Sequence, residues 1–269
     1  MGYRLIALDI DGTIRSPEYP ISDRTRAVIA SVMDTGAYVT LATGRMFQSA
    51  IRSSAGLNIT APMVSFQGAQ VTDPATEEVL WHQPLAPHMT LDALDALATK
   101  GMGIMAYYDD RVYVDKMTTW MEAYGERNYV EVVRVDDLRE LASQGLTRLV
   151  AVGSEEEIPL LVAELGSRFD SQLYVTRSLP HFCEILHPDG GKDKALSWLC
   201  RHLGVREEDT VVFGNGWNDV PMLRWAGLSV AIGGAVPEIL EVADRIAPPI
   251  EEDGAAHMLE DLLDRGLIG

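Results

Sequence analysis

The chain has 269 residues, 47% of them hydrophobic, which is enough for one large domain or two modest ones. Its formal net charge is −18 with no concentrated basic patch, which argues against nucleic acid or an anionic membrane as partner, since either needs clustered Lys and Arg. Two cysteines, Cys183 and Cys200, make neither a disulfide framework nor a zinc site and read as packing thiols; with no bilayer-length apolar run and no signal-peptide pattern, a soluble cytoplasmic protein is expected.

In chain order, "YRLIAL" at 3 to 8 reads as a buried strand, and Asp9, Asp11, Gly12 and Thr13 stand where it would leave the core. Ser22 is a candidate N-cap for a helix with Val28, Ile29, Val32 and Met33 at helical spacing, stopped by Gly36. "AYVTLA" is the next strand, followed by "TGR" and a helix starting there and running through about residue 55; "PMVSF" is a third strand. Short strands alternating with helices predict a parallel sheet.

From about residue 82 the texture changes. "LDALDALATKG" is helical, "GIMAYY" and "RVYV" are strands around an Asp-Asp turn, and "DDLRELASQG" is expected to be helical again. "LTRLVAVG" reads as a strand, and Ser154 with Glu157 forms a capping box that opens another helix. "QLYVTR" and "HFCEIL" are the last strands of this α+β segment. Tyr107, Tyr108, Tyr113, Trp120, Tyr124 and Tyr129 read mostly as packing residues there, and His181 and His187 as structural histidines. After "HPDGG" the first texture returns: a helix from about Lys192 to Gly204, "TVVF" as a strand, "NDVPMLRWAG" as a helix, "LSVAI" as a strand and a terminal helix. The expected fold class is α/β: a doubly wound, Rossmann-like parallel-sheet core over 1–81 and 188–269, with an α+β domain inserted at 82–187.

Polar residues cluster beside the expected sheet: Asp9 with Asp11, then Thr43, then Lys192, then "GNGWND" at 214 to 219. Ligands of an open parallel sheet bind outside the carboxyl ends of its strands, so these clusters are candidates for one site. Two adjacent carboxylates repel, and a hard divalent cation relieves that repulsion; Mg²⁺ suits a few protein oxygens plus substrate phosphate. Thr43 and the Gly44 N–H make a phosphate cradle, and Lys192 supplies compact positive charge. Lys194 is the rival to Lys192; two positions apart on a helix, only one can face the site. Together these groups suit phosphoryl transfer through an aspartyl-phosphate.

The ordered motifs "DIDGT", "TGR", "GGKDKAL" and "GNGWNDVPML" resemble those of the haloacid dehalogenase superfamily of phosphatases, and the insertion resembles the large α/β cap of its Cof-like branch. The resemblance implies that Asp9 is nucleophile and metal ligand, and that Asp11 is general acid and base while its backbone carbonyl binds Mg²⁺. It implies that Thr43 and Lys192 hold the phosphoryl oxygens, with Gly44 and Asn218 also placed at the phosphate, and that Asn215, Asn218 and Asp219 complete and orient the metal site. Two positions depart from the pattern. Asn215 stands where the family has aspartate, which predicts weaker metal binding, and "SFQGAQ" has Gln67 where the branch has Asn, so Gln67 is left off the expected site. Arg45 is a further candidate contact for substrate or cap. The expected substrate is a small phosphorylated metabolite, a sugar phosphate first and a nucleotide or cofactor phosphate such as FMN or pyridoxal phosphate second; a monomer or small homo-oligomer is expected. The rival readings are a non-catalytic phosphometabolite-binding protein and a sugar phosphomutase of the same superfamily.

Overall fold

A computed structural model of the chain describes residues 2–269. They form two compact units, the first comprising residues up to Arg45, Ala50–Trp81 and Gly191–Gly269, the second Met46–Ser49 and His82–Gly190. No helix among the described residues is long and apolar enough to cross a membrane.

The first unit is built on a five-stranded sheet with the spatial order Arg245–Pro249, Leu228–Gly233, Thr210–Gly214, Leu5–Leu8, Tyr38–Leu41, every neighbouring pair parallel. Leu5–Leu8 is apolar at every position and wholly buried, as a strand covered on both faces must be. Leu5, Ala7, Val212 and Ala231 pack with Ala195, Leu196 and Leu199 of the Lys192–Leu203 helix and with Met222 and Leu223. The helix Asp23–Asp34, capped by Ser22 through its acceptance of the Thr25 N–H, packs on Gly254–Asp264. The N-terminal strand is flanked on one side by the next strand in sequence and on the other by Thr210–Gly214. The strand order reverses there, and in an open parallel sheet the carboxyl ends of the strands at such a switch point are where ligands bind.

The two sheet edges differ. Beyond Tyr38–Leu41, Ala42 bridges Val64 in parallel, which brings the short strand Met63–Ser65 alongside. At the other edge Arg245–Pro249 pairs through a β-bulge at Ile232 and Gly233 and ends in Pro248 and Pro249.

The second unit holds a six-stranded sheet ordered Tyr174–Arg177, Phe182–Leu186, Arg148–Val152, Gly103–Tyr108, Arg111–Val114, Glu131–Arg134; the last pair is parallel and the others antiparallel. Ile158, Leu161, Leu165 and Phe169 recur at helical spacing on Glu157–Phe169 and join Leu149, Ala151, Cys183 and Ile185 in one core. The expected capping box is present: Glu157 N–H donates to the Ser154 hydroxyl at 3.3 Å and Ser154 N–H to the Glu157 carboxylate at 3.0 Å. The segment 136–145, expected to be helical, carries a 3₁₀ helix, Leu138–Gln144. Leu138 and Leu141, three apart, both meet the core, and a three-residue turn is what aligns such a pair. Burial pushes the thiols of Cys183 and Cys200 up to about 12, as packing cysteines. Tyr107 is fully buried, Trp120 stacks on Tyr124 and meets His181 and Phe182 edge-on, and Tyr129 is exposed.

The face of this sheet opposite the Leu149 core carries an ion pair. Arg148 Nη1 donates to Glu184 Oε2 at 2.6 Å with both side chains buried, and the guanidinium lies 4.1 Å from the centre of the Tyr107 ring, whose hydroxyl meets that of Tyr124 at 2.8 Å. Removing one member of such a pair leaves an uncompensated buried charge. Glu184→Ala is expected to cost about 3–5 kcal/mol of unfolding free energy in a urea titration, and Arg148→Met with Glu184→Leu to recover most of it. A double variant no more stable than Glu184→Ala would refute this account.

Candidate active site

The first carboxyl-terminal loop begins at Asp9, whose N–H still donates to Phe213 O at 3.0 Å, so the residue leaves the sheet as its last bonded position. Its side chain is buried. Lys192, at the first position of its helix, reaches the same spot: Nζ donates to Asp9 Oδ1 at 2.7 Å and to Asp219 Oδ1 at 2.5 Å, and all three residues are at least 95% buried. Lys194 is exposed, so of the two lysines it is Lys192 that joins the acids.

Asp219 is fixed from both sides. Its other oxygen, Oδ2, accepts from the N–H groups of Asn215 at 2.9 Å and Gly216 at 3.0 Å, which folds the 214–219 loop back on itself. Gly214 permits this turn, since a β-carbon there would collide with the Asp219 side chain. The Thr13 hydroxyl lies 3.0 Å from Asn215 Oδ1 and 3.4 Å from Asp9 Oδ2. Gly12, at φ 84°, passes Asn215 so closely that a β-carbon would overlap its amide.

One lysine between two buried acids leaves the cluster one negative charge in excess. Burial raises the Asp9 carboxyl, Lys192 opposes that and Asp219 adds to it, and the result stands at about 7. Burial pulls Lys192 down, but Asp219 and Asp9 outweigh it and its pKa stands above the ordinary lysine value.

Asp11 sits apart from this buried trio. Its side chain is 46% exposed and both oxygens are held by Arg45, Nε to Oδ2 at 2.6 Å and Nη2 to Oδ1 at 2.8 Å. The pair is a bidentate fork, the geometry in which guanidinium and carboxylate match best. Thr43 is fully buried at the end of the neighbouring strand; its N–H donates to Val64 O, and its hydroxyl accepts from Arg45 N–H at 3.2 Å. The helix expected to start at Gly44 starts at Phe47, so residues 43–46 form a loop and Thr43 does not cap that helix. The turn through Phe66, Gln67 and Gly68 closes on this loop: Phe66 N–H donates to Arg45 O and Gln67 N–H to Thr43 O. Asn218 Nδ2 donates to Gln67 Oε1 at 2.9 Å, and Gly44 lies against the same Gln67 amide.

All eight expected site residues thus stand in the first unit, on loops or in the first turns of helices: Asp9, Lys192, Asp219 and Asn215 are linked directly or through Thr13, and Asp11, Thr43, Gly44 and Asn218 through Arg45 and Gln67. Thr13, Arg45 and Gln67 share these contacts and were not among the eight. Thr13 stands inside the "DIDGT" motif; the polar Gln67 directly after an apolar strand was the one available signal for a buried amide.

The oxygens gathered here suit a hard cation. Asp9 Oδ2 and Asn215 Oδ1 both converge on Thr13, and a carboxylate plus an amide carbonyl are oxygen donors of the kind Mg²⁺ takes. Among the described residues no three His, Cys, Asp or Glu side chains gather as a metal cluster; position 215 holds an amide, and Asp11 is turned to Arg45.

Comparison with known proteins identifies the family. The family model described as haloacid dehalogenase-like hydrolase matches residues 6–259. The chain is 29% identical over 261 residues to the 5-amino-6-(5-phospho-D-ribitylamino)uracil phosphatase YitU of Bacillus subtilis, covering 96% of each chain. It is 25% identical to an HMP-PP phosphatase of Serratia proteamaculans, covering 97% of this chain and 96% of that one. Among solved structures, a haloacid dehalogenase-like hydrolase from Bacteroides thetaiotaomicron superposes with a TM-score of 0.82 at 24% identity, over 97% of this chain and 99% of that one. With four ordered motifs on the loops of one parallel sheet and a family match over nearly its whole length, the chain belongs to the haloacid dehalogenase-like hydrolases, as a phosphatase of the Cof-like kind.

Proposed function

We propose that the protein is a Mg²⁺-dependent phosphatase that hydrolyses a small phosphorylated metabolite through an aspartyl-phosphate on Asp9, with the first unit as catalytic core and the second as the inserted cap. The observation that carries this reading is the buried Asp9–Lys192–Asp219 cluster, since a binding protein has no need to hold a carboxylate desolvated beside a second one. A carboxylate stripped of water is a stronger nucleophile toward phosphorus than a hydrated one.

In the first step an Asp9 oxygen attacks phosphorus, the ester P–O bond breaks and Asp11 gives its proton to the leaving oxygen. In the second, Asp11 takes a proton from water as the water oxygen bonds to phosphorus and the aspartyl–phosphate bond breaks. Thr43, the Gly44 N–H, Lys192 and Asn218 hold the phosphoryl oxygens, whose charge spreads as the group transfers. Arg45 grips both Asp11 oxygens, so one of these bonds opens before Asp11 reaches a leaving group; an anionic substrate competing for Arg45 supplies the means. Mg²⁺, held by Asp9, the Asp11 carbonyl and Asn215 with Asp219 behind them, would offset the negative charge shared by acid and phosphate.

The names of the relatives favour small substrates: one joins a phosphorylated ribityl chain to an aminouracil, and the other is named for HMP-PP. We take sugar phosphates and nucleotide or cofactor phosphates as the class. Phosphate release across a panel of such monoesters, with p-nitrophenyl phosphate as reference, is the test; no release from any of them in the presence of Mg²⁺ would sink the proposal. Asn215 gives the metal reading its own check. Asn215→Asp adds one negative charge and is expected to tighten Mg²⁺ binding about tenfold, roughly 1.4 kcal/mol, in a calorimetric titration. An unchanged dissociation constant would take residue 215 out of the metal site.

A further inference from the structure

We propose that Gln67 is a positioning residue, which sets the orientation of the Asn218 side-chain amide so that its N–H end serves the phosphoryl group. This rests on the reading of Asn218 as a phosphate ligand.

Gln67 is 2% exposed and has left-handed backbone, φ 58° and ψ 25°, directly after Phe66 at φ 50°. Two consecutive non-glycine residues in that region are held there only by surroundings that over-determine them. Here the main chain supplies those constraints. Phe66 and Gln67 bond the carbonyls of Arg45 and Thr43, and Gly68 passes Gly191 and Lys192 so closely that a β-carbon would overlap the Gly191 carbonyl. One short turn therefore touches the Thr43 loop, the start of the Lys192 helix and, through the Gln67 side chain, Asn218.

The side-chain contact has chemical direction. A phosphoryl oxygen only accepts, so Asn218 serves it with Nδ2 and repels it with Oδ1. Gln67 Oε1 also only accepts, so its bond to Asn218 forms with Nδ2 and with nothing else on that amide. Nδ2 carries two hydrogens; Gln67 takes one and leaves the second to donate elsewhere, while Oδ1 is turned over Gly216. Without the acceptor at position 67 the two ends of the Asn218 amide are no longer distinguished, and half of its orientations oppose the substrate. An asparagine at position 67 is shorter by one methylene, about 1.5 Å, and does not span the contact from the same backbone.

The test is a double-mutant cycle of Gln67→Met and Asn218→Ala, read on the dissociation constant of inorganic phosphate by calorimetry and on kcat/KM for p-nitrophenyl phosphate, with Tm measured for each variant. Gln67→Met is expected to weaken phosphate binding and to lower kcat/KM, each about tenfold, which is roughly 1.4 kcal/mol of coupling. In the Asn218→Ala background the same change should have no further effect. Gln67→Gly relieves the left-handed backbone, also removes the acceptor, and should lose phosphate affinity by the same factor even where Tm is kept. Equal losses in both backgrounds, or unchanged phosphate binding in a folded Gln67→Met protein, overturn the proposal. Wild-type protein that binds phosphate but releases none from any ester overturns the phosphatase reading instead, and the cycle on phosphate binding still decides the role of Gln67.

Discussion

Asp9→Asn is expected to lower turnover of p-nitrophenyl phosphate by roughly 10⁴-fold or more while leaving the protein folded and, without metal, no less stable than wild type. The loss follows from chemistry, because an amide oxygen does not form the covalent intermediate. The stability follows from charge. The Asp9 carboxyl stands at about 7 in the folded protein against an ordinary 3.8. Between those values the folded state holds a proton that the unfolded state has released, so this group's contribution to stability falls as pH rises from about 4 to about 7 and stays at its lowest above. Asparagine has no charge to desolvate and leaves Lys192 paired with Asp219. In chelator at pH 8, therefore, Tm of Asp9→Asn should equal or exceed that of wild type, and the difference should shrink toward pH 4. A variant that retains turnover, or one that melts well below wild type at pH 8, contradicts the site as described.

Lys192→Met should have the opposite effect on stability. It strips the counter-charge from two buried carboxylates, and breaking a buried pair by removing one partner costs about 3–5 kcal/mol. Phosphate release should fall by about 10²-fold or more, since the same ammonium is the compact charge nearest the nucleophile. Lys192→Arg should not restore it, because a planar fork does not replace a point charge in a space where the lysine is 1% exposed. Lys194→Met, on the exposed face of the same helix, should stay within about 0.5 kcal/mol of wild type in urea unfolding. Comparable losses at 192 and 194 would show that helix stability, and not the buried cluster, is being measured.

Much of this was legible in the residues. The strands ending at Leu8, Leu41 and Gly214 are apolar runs cut off by polar clusters, and a parallel sheet converts such ends into one location. What escaped is what depends on partners far away in sequence. The Glu131–Arg134 strand has charged ends and too little alternation to announce itself, and Arg245–Pro249 carries two prolines that argue against a strand until its place at a sheet edge is known. Side-chain direction was hidden in the same way. The spacing of two acids around one isoleucine does not show which way each turns, and Asp9 turns inward to Lys192 while Asp11 turns outward to Arg45. Gln67 was set aside for being one methylene too long, and that length is what reaches Asn218.

The prolines that close Arg245–Pro249 bear on how this protein behaves when crowded. An open strand edge is a template along which another molecule's chain can line up, and Ile246 on this one is 58% exposed. Pro248 and Pro249 have no N–H to offer, and the bulge at Ile232 and Gly233 twists the end of the edge away. At the far side Val64 already occupies the position an intruder would take beside Ala42. Both margins are therefore poor templates for pairing from molecule to molecule, which disfavours ribbon-like fibrils through the central sheet in concentrated solution.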